Sequence, residues 1–215
     1  MISIQKFAFN PFMENTYVLF DETKHAVVVD PGCYEAHERK ALDTFISENE
    51  LTVDLLLNTH CHIDHVLGNS HVKSTYKVPL LIHEKDLEVL NAAKVLAPNY
   101  GMADYQPAEP DRYMEEGETI TFGNSELKVV FVPGHAPGHV AFINEEQNIC
   151  IGGDVLFKSS IGRTDLPGGD FNTLISSIQE KLFTFSDDMI VYPGHGPETT
   201  IGEEKRTNPF CAIKN

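Results

Sequence analysis

The sequence is short of cations, of cysteine and of long apolar runs, and each shortage excludes a class of protein. Sixteen Lys and Arg stand against 32 Asp and Glu, a formal net charge of −16. The summed field of such a chain opposes approach to phosphate backbones and anionic lipid, so nucleic acid and membrane are excluded as expected partners. The four cysteines, Cys33, Cys61, Cys150 and Cys211, are scattered and contain no C-x-x-C pair. They read as reduced, packed thiols rather than a disulfide framework. No stretch reaches the roughly 18 apolar residues of a spanning helix. Met1 to Phe20 alternates apolar with polar residues and is interrupted by Lys6, Pro11 and Glu14, unlike the apolar core of a leader peptide. The expectation is a cytoplasmic protein. There is no G-x-S-x-G elbow to present a nucleophilic serine, and no linker, repeat or low-complexity tract. What remains is 215 residues with 41% hydrophobic and 22% charged content. That is ordinary for a globular chain and predicts one domain over residues 1–215.

Periodicity predicts strands over 2–9, 16–20 and 26–30, joined as a meander, and then an amphipathic helix over 35–48 carrying Ala41, Leu42, Phe45 and Ile46. An apolar strand over 53–57 follows, then a helix over 68–77, a strand over 78–82, and a helix over 84–96 that turns Leu87, Leu90 and Val95 inward. Residues 97–113 show neither period and are expected to form a loop, either a cover over a pocket or a packed surface connection. A second set of strands is predicted over 119–122, 127–132, 140–144 and 148–152. A late helix over 171–183, a last strand over 189–192 and a short tail over 201–215 complete the chain. Two β-rich halves with helices between them suggest two sheets with helices outside.

The chemistry is concentrated in Thr59-His60-Cys61-His62-Ile63-Asp64-His65, which puts three imidazoles and a carboxylate into seven residues. His60 and His62 are two apart, so on extended backbone both rings reach one side and one ion. Asp64 and His65, past a turn, face a second ion, and bridged pairs of ions lie roughly 3.5–4 Å apart. Asp64 also stands where a helix N-cap would. Three further donors follow apolar runs: His135 in Pro-Gly-His, Asp154 in Gly-Gly-Asp and His195 in Pro-Gly-His-Gly. Imidazole with carboxylate suits zinc, and also manganese or iron, above the soft thiolate metals. Asp30, at the end of Val27-Val28-Val29, is either a turn residue or a group that orients a ligating histidine. His139 is expected beside the site, Cys61 to pack away from it, and His25, His37, His71 and His83 to be surface or packed residues.

The T-H-x-H-x-D-H motif with the later Pro-Gly-His, Gly-Asp and Pro-Gly-His-Gly signals resembles the metallo-β-lactamase superfamily over nearly the whole chain. The resemblance implies an α/β fold, a four-layer αββα sandwich. It also implies a ligand set: His60, His62 and His135 on one ion, Asp64, His65 and His195 on the other, and Asp154 bridging. Two divalent ions, Zn2+ foremost, would be the cofactors. The segment Gly162-Arg163-Thr164-Asp165-Leu166-Pro167-Gly168-Gly169-Asp170 is similar to that of compact glyoxalase II-like hydrolases. This implies cleavage of a small-molecule thioester such as S-lactoylglutathione. A hydroxide shared by two metals, its water pKa brought from about 15.7 toward 7, would be the nucleophile. The thiolate, with a thiol pKa near about 8.5, would leave with little acid help, and Asp64 and Asp154 are the carboxylates nearest the chemistry. Larger glyoxalase II enzymes grip glutathione with a basic C-terminal helical region that this sequence does not show. Lys158 and Arg163, and after them Lys205 and Arg206, are the candidate substrate cations in its place. Two metals and an anionic ligand set leave a formally positive pocket in an acidic chain. Other readings share the motif: a persulfide dioxygenase with one iron on His60, His135 and Asp154, a lactonase or β-lactamase, and a metal-binding domain without activity. The sequence leaves the oligomeric state open.

Overall fold

The computed structural model describes residues 1–213; of the predicted tail, Lys214 and Asn215 lie outside the described residues. The backbone groups into two compact units, the first formed by residues 1–114 and 121–126, the second by residues 115–120 and from 127 onward.

The first unit is built on a six-stranded sheet in the order β1-β2-β3-β4-β5-β6. β1 (Ser3–Phe9), β2 (Glu14–Phe20) and β3 (His25–Val29) form the expected antiparallel meander. β4 (Thr52–Leu57), β5 (Leu80–His83) and β6 (Arg112–Met114) then run parallel to β3. Parallel neighbours need crossovers, and helices supply them. α1 (Ala36–Glu48) links β3 to β4, α2 (Ile63–Val66) and α3 (Asn69–Tyr76) link β4 to β5, and α4 (Leu87–Leu96) leads from β5 toward β6. α1 buries Leu42 and Ile46 one turn apart, and its start is fixed by the Glu38 carboxylate, which accepts from the amides of Tyr34 and Glu35. Leu42, Val28, Leu56 and Leu80 join one core with no exposure to solvent. Each such side chain contributes roughly 1.5–3 kcal/mol of burial.

Three expectations are corrected here. Val95 is 75% exposed, whereas Leu90, Ala93 and Ala97 are buried. The inward stripe of α4 follows i, i+3, i+7 from Leu90, which puts Val95 on the far side of the helix. Residues 97–113 are not loop throughout: Met102, Tyr105 and Ala108 are buried in the first unit's core, and Arg112 onward is strand β6. Asp64 is not an N-cap, because it lies inside α2, whose N-cap is His62.

The second unit carries the other sheet, in the order β14-β13-β10-β9-β8-β7. Its strands are β7 (Thr119–Phe122), β8 (Ser125–Phe131), β9 (Val140–Asn144), β10 (Ile149–Gly153), β13 (Ile190–Pro193) and β14 (Thr199–Thr200). The turn of the β7–β8 hairpin, residues 121–126, groups with the first unit. A separate two-stranded ribbon, β11 (Leu156–Phe157) with β12 (Ser160–Ile161), follows β10. α5 (Phe171–Glu180) begins at Asp170, whose carboxylate caps the Thr173 amide at 2.7 Å, and α6 (Ile201–Thr207) occupies the first half of the predicted tail. Leu174, Ile178, Val191 and Ile201 form this unit's core. Among the described residues no helix is long and apolar enough to cross a membrane.

Candidate metal centre

In the first unit the site grows from the C-terminal ends of β3 and β4, where ligands of parallel sheets collect. β3 is buried throughout Val27, Val28 and Val29, and the chain then turns sharply at Asp30, which has φ +48°. The buried Asp30 carboxylate crosses to the end of β4. It accepts from the Thr59 amide at 2.7 Å and the Thr59 hydroxyl at 2.5 Å, and it lies 3.2 Å from His65 Nδ1. This is a carboxylate–histidine pair: it holds the proton on Nδ1 and makes Nε2 the atom a cation would meet. The Asp30 carboxylate thus reaches Thr59 and His65 rather than its own backbone. His60 lies beside this pair, its ring 4.1 Å from that of His65 and 4.9 Å from that of His62. The Asp64 carboxylate is 3.6 Å from His65 Nε2.

Four residues to which the sequence assigns no part in the site hold this loop. Asn10, at φ +53°, gives its side-chain amide to the carbonyls of Gly32 and Asp64, each at 3.0 Å. Glu14 is wholly buried, accepts from the Thr16 hydroxyl at 2.8 Å and lies 3.9 Å from His65 Nδ1. Burial pushes its carboxyl well above the usual range, with the nearby His65 pulling the other way. Gly32 sits where a Cβ would come within 2.1 Å of Glu14 Oε2 and 2.7 Å of the Asp64 carbonyl, so no larger residue fits. Asp86 accepts from the Cys61 amide at 2.6 Å. The Cys61 side chain is buried in the core, as expected, and burial drives its thiol well above the ordinary value. The only advance signal for these residues was polarity: Asn10 and Glu14 interrupt an apolar meander.

In the second unit the donors come from three separate strand ends. His135 follows β8, Asp154 follows β10 and His195 follows β13. One carboxylate oxygen, Asp154 Oδ2, lies 3.7 Å from His135 Nε2 and 3.5 Å from His195 Nε2. These separations are too long for good hydrogen bonds and suit donors that converge on a cation. Backbone groups set the orientation here. His135 Nδ1 is 2.8 Å from the Arg163 carbonyl, which again assigns Nε2 to the site. His139 Nε2 accepts from the Asp154 amide at 3.0 Å, so His139 holds a donor without being one. A Cβ on Gly162 would stand 1.9 Å from the Asp154 carbonyl oxygen and 3.1 Å from His135 Nδ1.

The donor set therefore fits a borderline divalent ion: neutral imidazoles with fixed tautomers, carboxylate oxygens and no thiolate. The candidate substrate cations are less distinctive. Lys158 is exposed at the tip of the β11–β12 ribbon. The Arg163 guanidinium forms a two-pronged pair with Asp165, both contacts at 2.7 Å, and Lys205 and Arg206 turn to Asp187. The histidines expected to lie elsewhere do so: His25 pairs with Asp54, His71 with Asp43, and His83 caps Lys85.

Comparison with known proteins decides the family. A family profile described as the metallo-beta-lactamase superfamily matches residues 9–195. The chain belongs to the metallo-β-lactamase superfamily. It is 39% identical over 206 residues to the hydroxyacylglutathione hydrolase GloC of Haemophilus influenzae, covering 95% of each chain. Among solved structures it resembles the B3 metallo-beta-lactamase BLEG-1, with a TM-score of 0.89 and 35% identity over 98% of this chain and 100% of that one. It also resembles TTHA1623 in a di-iron-bound form, with a TM-score of 0.85 and 37% identity over 96% and 99%. The α/β fold expected from the motifs is thus the metallo-β-lactamase fold. The superfamily consists mostly of metal-dependent hydrolases, and the histidine clusters described above are in keeping with divalent metal binding.

Proposed function

We propose that the chain hydrolyses a small-molecule thioester of the S-lactoylglutathione class, using two divalent ions, Zn2+ foremost. In this reading His60, His62 and His135 hold one ion, Asp64, His65 and His195 the other, and Asp154 serves both. The observation that carries the substrate class is the 39% identity to the GloC hydrolase over 95% of both chains. Bound ions would supply a nucleophilic water at neutral pH and positive charge for the developing oxyanion. The chain's own residues do the rest. Asp30 and the Arg163 carbonyl keep His65 and His135 in the tautomer that presents Nε2, and the His139 ring holds the Asp154 backbone in place. Asp64, 3.6 Å from His65 Nε2, is the group assigned to carry the proton away from the attacking water. Water adds to the acyl carbon, the carbon–sulfur bond breaks and the pair leaves on sulfur as a thiolate. That leaving group needs little protonation near neutrality. Lys158 is the side chain assigned to the anionic end of the substrate. Four buried free thiols fit a reducing, cytoplasmic setting.

The test is thiol release from S-lactoylglutathione, measured on a sample whose metal content is known by mass spectrometry. Turnover that tracks two ions per chain is expected; full metal loading without thiol release overturns the substrate reading. The likeness to the BLEG-1 B3 metallo-beta-lactamase supports a second reading, lactam opening. The same sample assayed with a β-lactam separates the two, since only thioester cleavage yields a thiol.

A further inference from the structure

Glu204 lies in α6 beside Lys205 and Arg206, and the sequence suggests no role for it, yet it has no exposure to solvent. Buried carboxylates persist where donors surround them, and the Glu204 donors are informative. Oε2 accepts from the Ser159 amide at 3.0 Å and from the Asn208 side-chain amide at 2.7 Å, and Oε1 accepts from the Thr199 hydroxyl at 2.5 Å. Asn208 also donates to the Ser160 carbonyl at 2.9 Å. One carboxylate thus ties α6 to the tip of the β11–β12 ribbon and to β14.

Both tied segments carry ligand positions. Asp154 precedes the ribbon by two residues, and the ribbon turns back at Ser159, where φ is +57°. Its return strand pairs Ile161 with Leu156 and delivers Gly162, whose amide donates to the Val155 carbonyl at 3.2 Å. The next residue is Arg163, whose carbonyl orients His135. On the other side, Val191 pairs with Thr199, and the loop between them carries His195. The Phe157 ring on the ribbon stands 6.4 Å from the His195 ring.

We propose that Glu204 is a positioning residue for metal binding: a single buried carboxylate that sets the ribbon and the β13–β14 loop, and through them His135, Asp154 and His195. The inference rests on the reading of those three residues as ligands. Outer groups that orient ligands typically change metal affinity by roughly 10–100-fold, and Glu204 would act at one remove, through backbone geometry.

The experiment titrates zinc into chelator-stripped full-length chains of the wild type, Glu204→Gln and Asn208→Ala, and records the visible spectrum of the cobalt-loaded forms. Gln keeps the shape but removes the charge: its oxygen keeps the Ser159 and Asn208 bonds only if its amino group turns to Thr199 Oγ1, which donates in the wild type. Glu204→Gln is expected to bind zinc roughly 10–100-fold more weakly and to change the cobalt spectrum, with Asn208→Ala shifted in the same direction by less. A merely structural role lowers the melting temperature of the metal-free chain and leaves zinc affinity and the cobalt spectrum of the folded protein unchanged. A folded Glu204→Gln variant with wild-type affinity and spectrum overturns the proposal. If Glu204→Gln does not fold, Asn208→Ala decides by the same criterion. A wild type that binds no zinc or cobalt overturns the ligand reading and this inference with it, whereas a wild type and both variants that bind equally overturn this inference alone.

Discussion

The two units hold their donors by opposite means. In the first, four donors sit on one seven-residue loop, and carboxylates lock it: Asp30 on Thr59 and His65, Asp86 on the Cys61 amide, Glu14 beside His65. In the second, three donors come from three strand ends 19 to 41 residues apart along the chain. There the partners are neutral: a carbonyl on His135 and an imidazole on the Asp154 amide, with a buried carboxylate only at one remove. A contiguous loop has no sheet register to place its side chains, and here three carboxylates do most of that work, with the Asn10 amide on the Asp64 carbonyl beside them. Donors already placed by sheet register need only their tautomers set. The first half is therefore vulnerable to loss of a charge, the second to displacement of backbone.

The largest effect is expected where one group faces two imidazoles. Asp154→Ala removes the oxygen lying 3.7 and 3.5 Å from His135 and His195. Bound metal is expected to fall below one ion per chain. With several kcal/mol of transition-state stabilisation lost and about 1.4 kcal/mol per tenfold, turnover should drop by roughly 10³-fold or more. Metal analysis with a thiol-release assay checks both, and a variant with two ions and full turnover breaks the scheme.

Asp30→Asn probes the charged lock. An amide cannot accept from the Thr59 amide, the Thr59 hydroxyl and His65 Nδ1 at once, so zinc affinity should fall roughly 10–100-fold as read by calorimetry. Gly162→Ala probes the backbone lock. Its Cβ would press on the Asp154 carbonyl, and relieving the overlap should cost about 1–3 kcal/mol of stability together with weaker metal binding. If Asp30→Asn binds zinc normally while Gly162→Ala does not, the charged lock is unnecessary and the contrast between the halves fails.

Legibility followed the same division. Residues 59–65 announced themselves because the seven positions are contiguous, and His135, Asp154 and His195 were found because each ends an apolar run. Asn10, Glu14 and Glu204 could not be found that way. Asn10 meets Asp64 across 54 residues and Glu204 meets Ser159 across 45, and no local period encodes such a meeting. In the sequence Arg163 stands out as a cation, whereas in the structure its carbonyl touches His135 and its guanidinium is held by Asp165. Within the tail α6 shows no legible period, because seven residues are too few to display a helical stripe. Val95 adds to the apolar count of α4, but its angle around the helix places it on the exposed side. Most strands of the two sheets are legible because their apolar runs are bounded by turn residues, but β6 has three residues and β11, β12 and β14 two each, and these carry no pattern.

The smallest effect separates a carboxylate that folds the first unit from one that holds a ligand. Asp21 lies beyond the opposite end of β2 from Glu14, buried, with its oxygens accepting from the Thr23 and Asn124 amides at 2.9 and 2.7 Å and from the Ser125 hydroxyl at 2.9 Å. Burial alone would raise its pKa, but these bonds and one from the Thr23 hydroxyl outweigh it and hold the carboxyl at about 2. An ordinary aspartate titrates near about 3.9, so the unfolded chain binds the proton first. The contribution to stability is then complete above about pH 4 and disappears as the pH falls through about 2. Asp21→Asn removes the charge, so the metal-free variant should be less stable than the wild type by about 1 kcal/mol at neutral pH. The two should converge between pH 4 and pH 2, while zinc affinity at pH 7 stays unchanged. Thermal melts of the stripped chains over that range check the convergence. A loss of zinc affinity in Asp21→Asn equal to that in Asp30→Asn would show that any buried carboxylate of the first unit supports the loop, and the specific role assigned to Asp30 would fall.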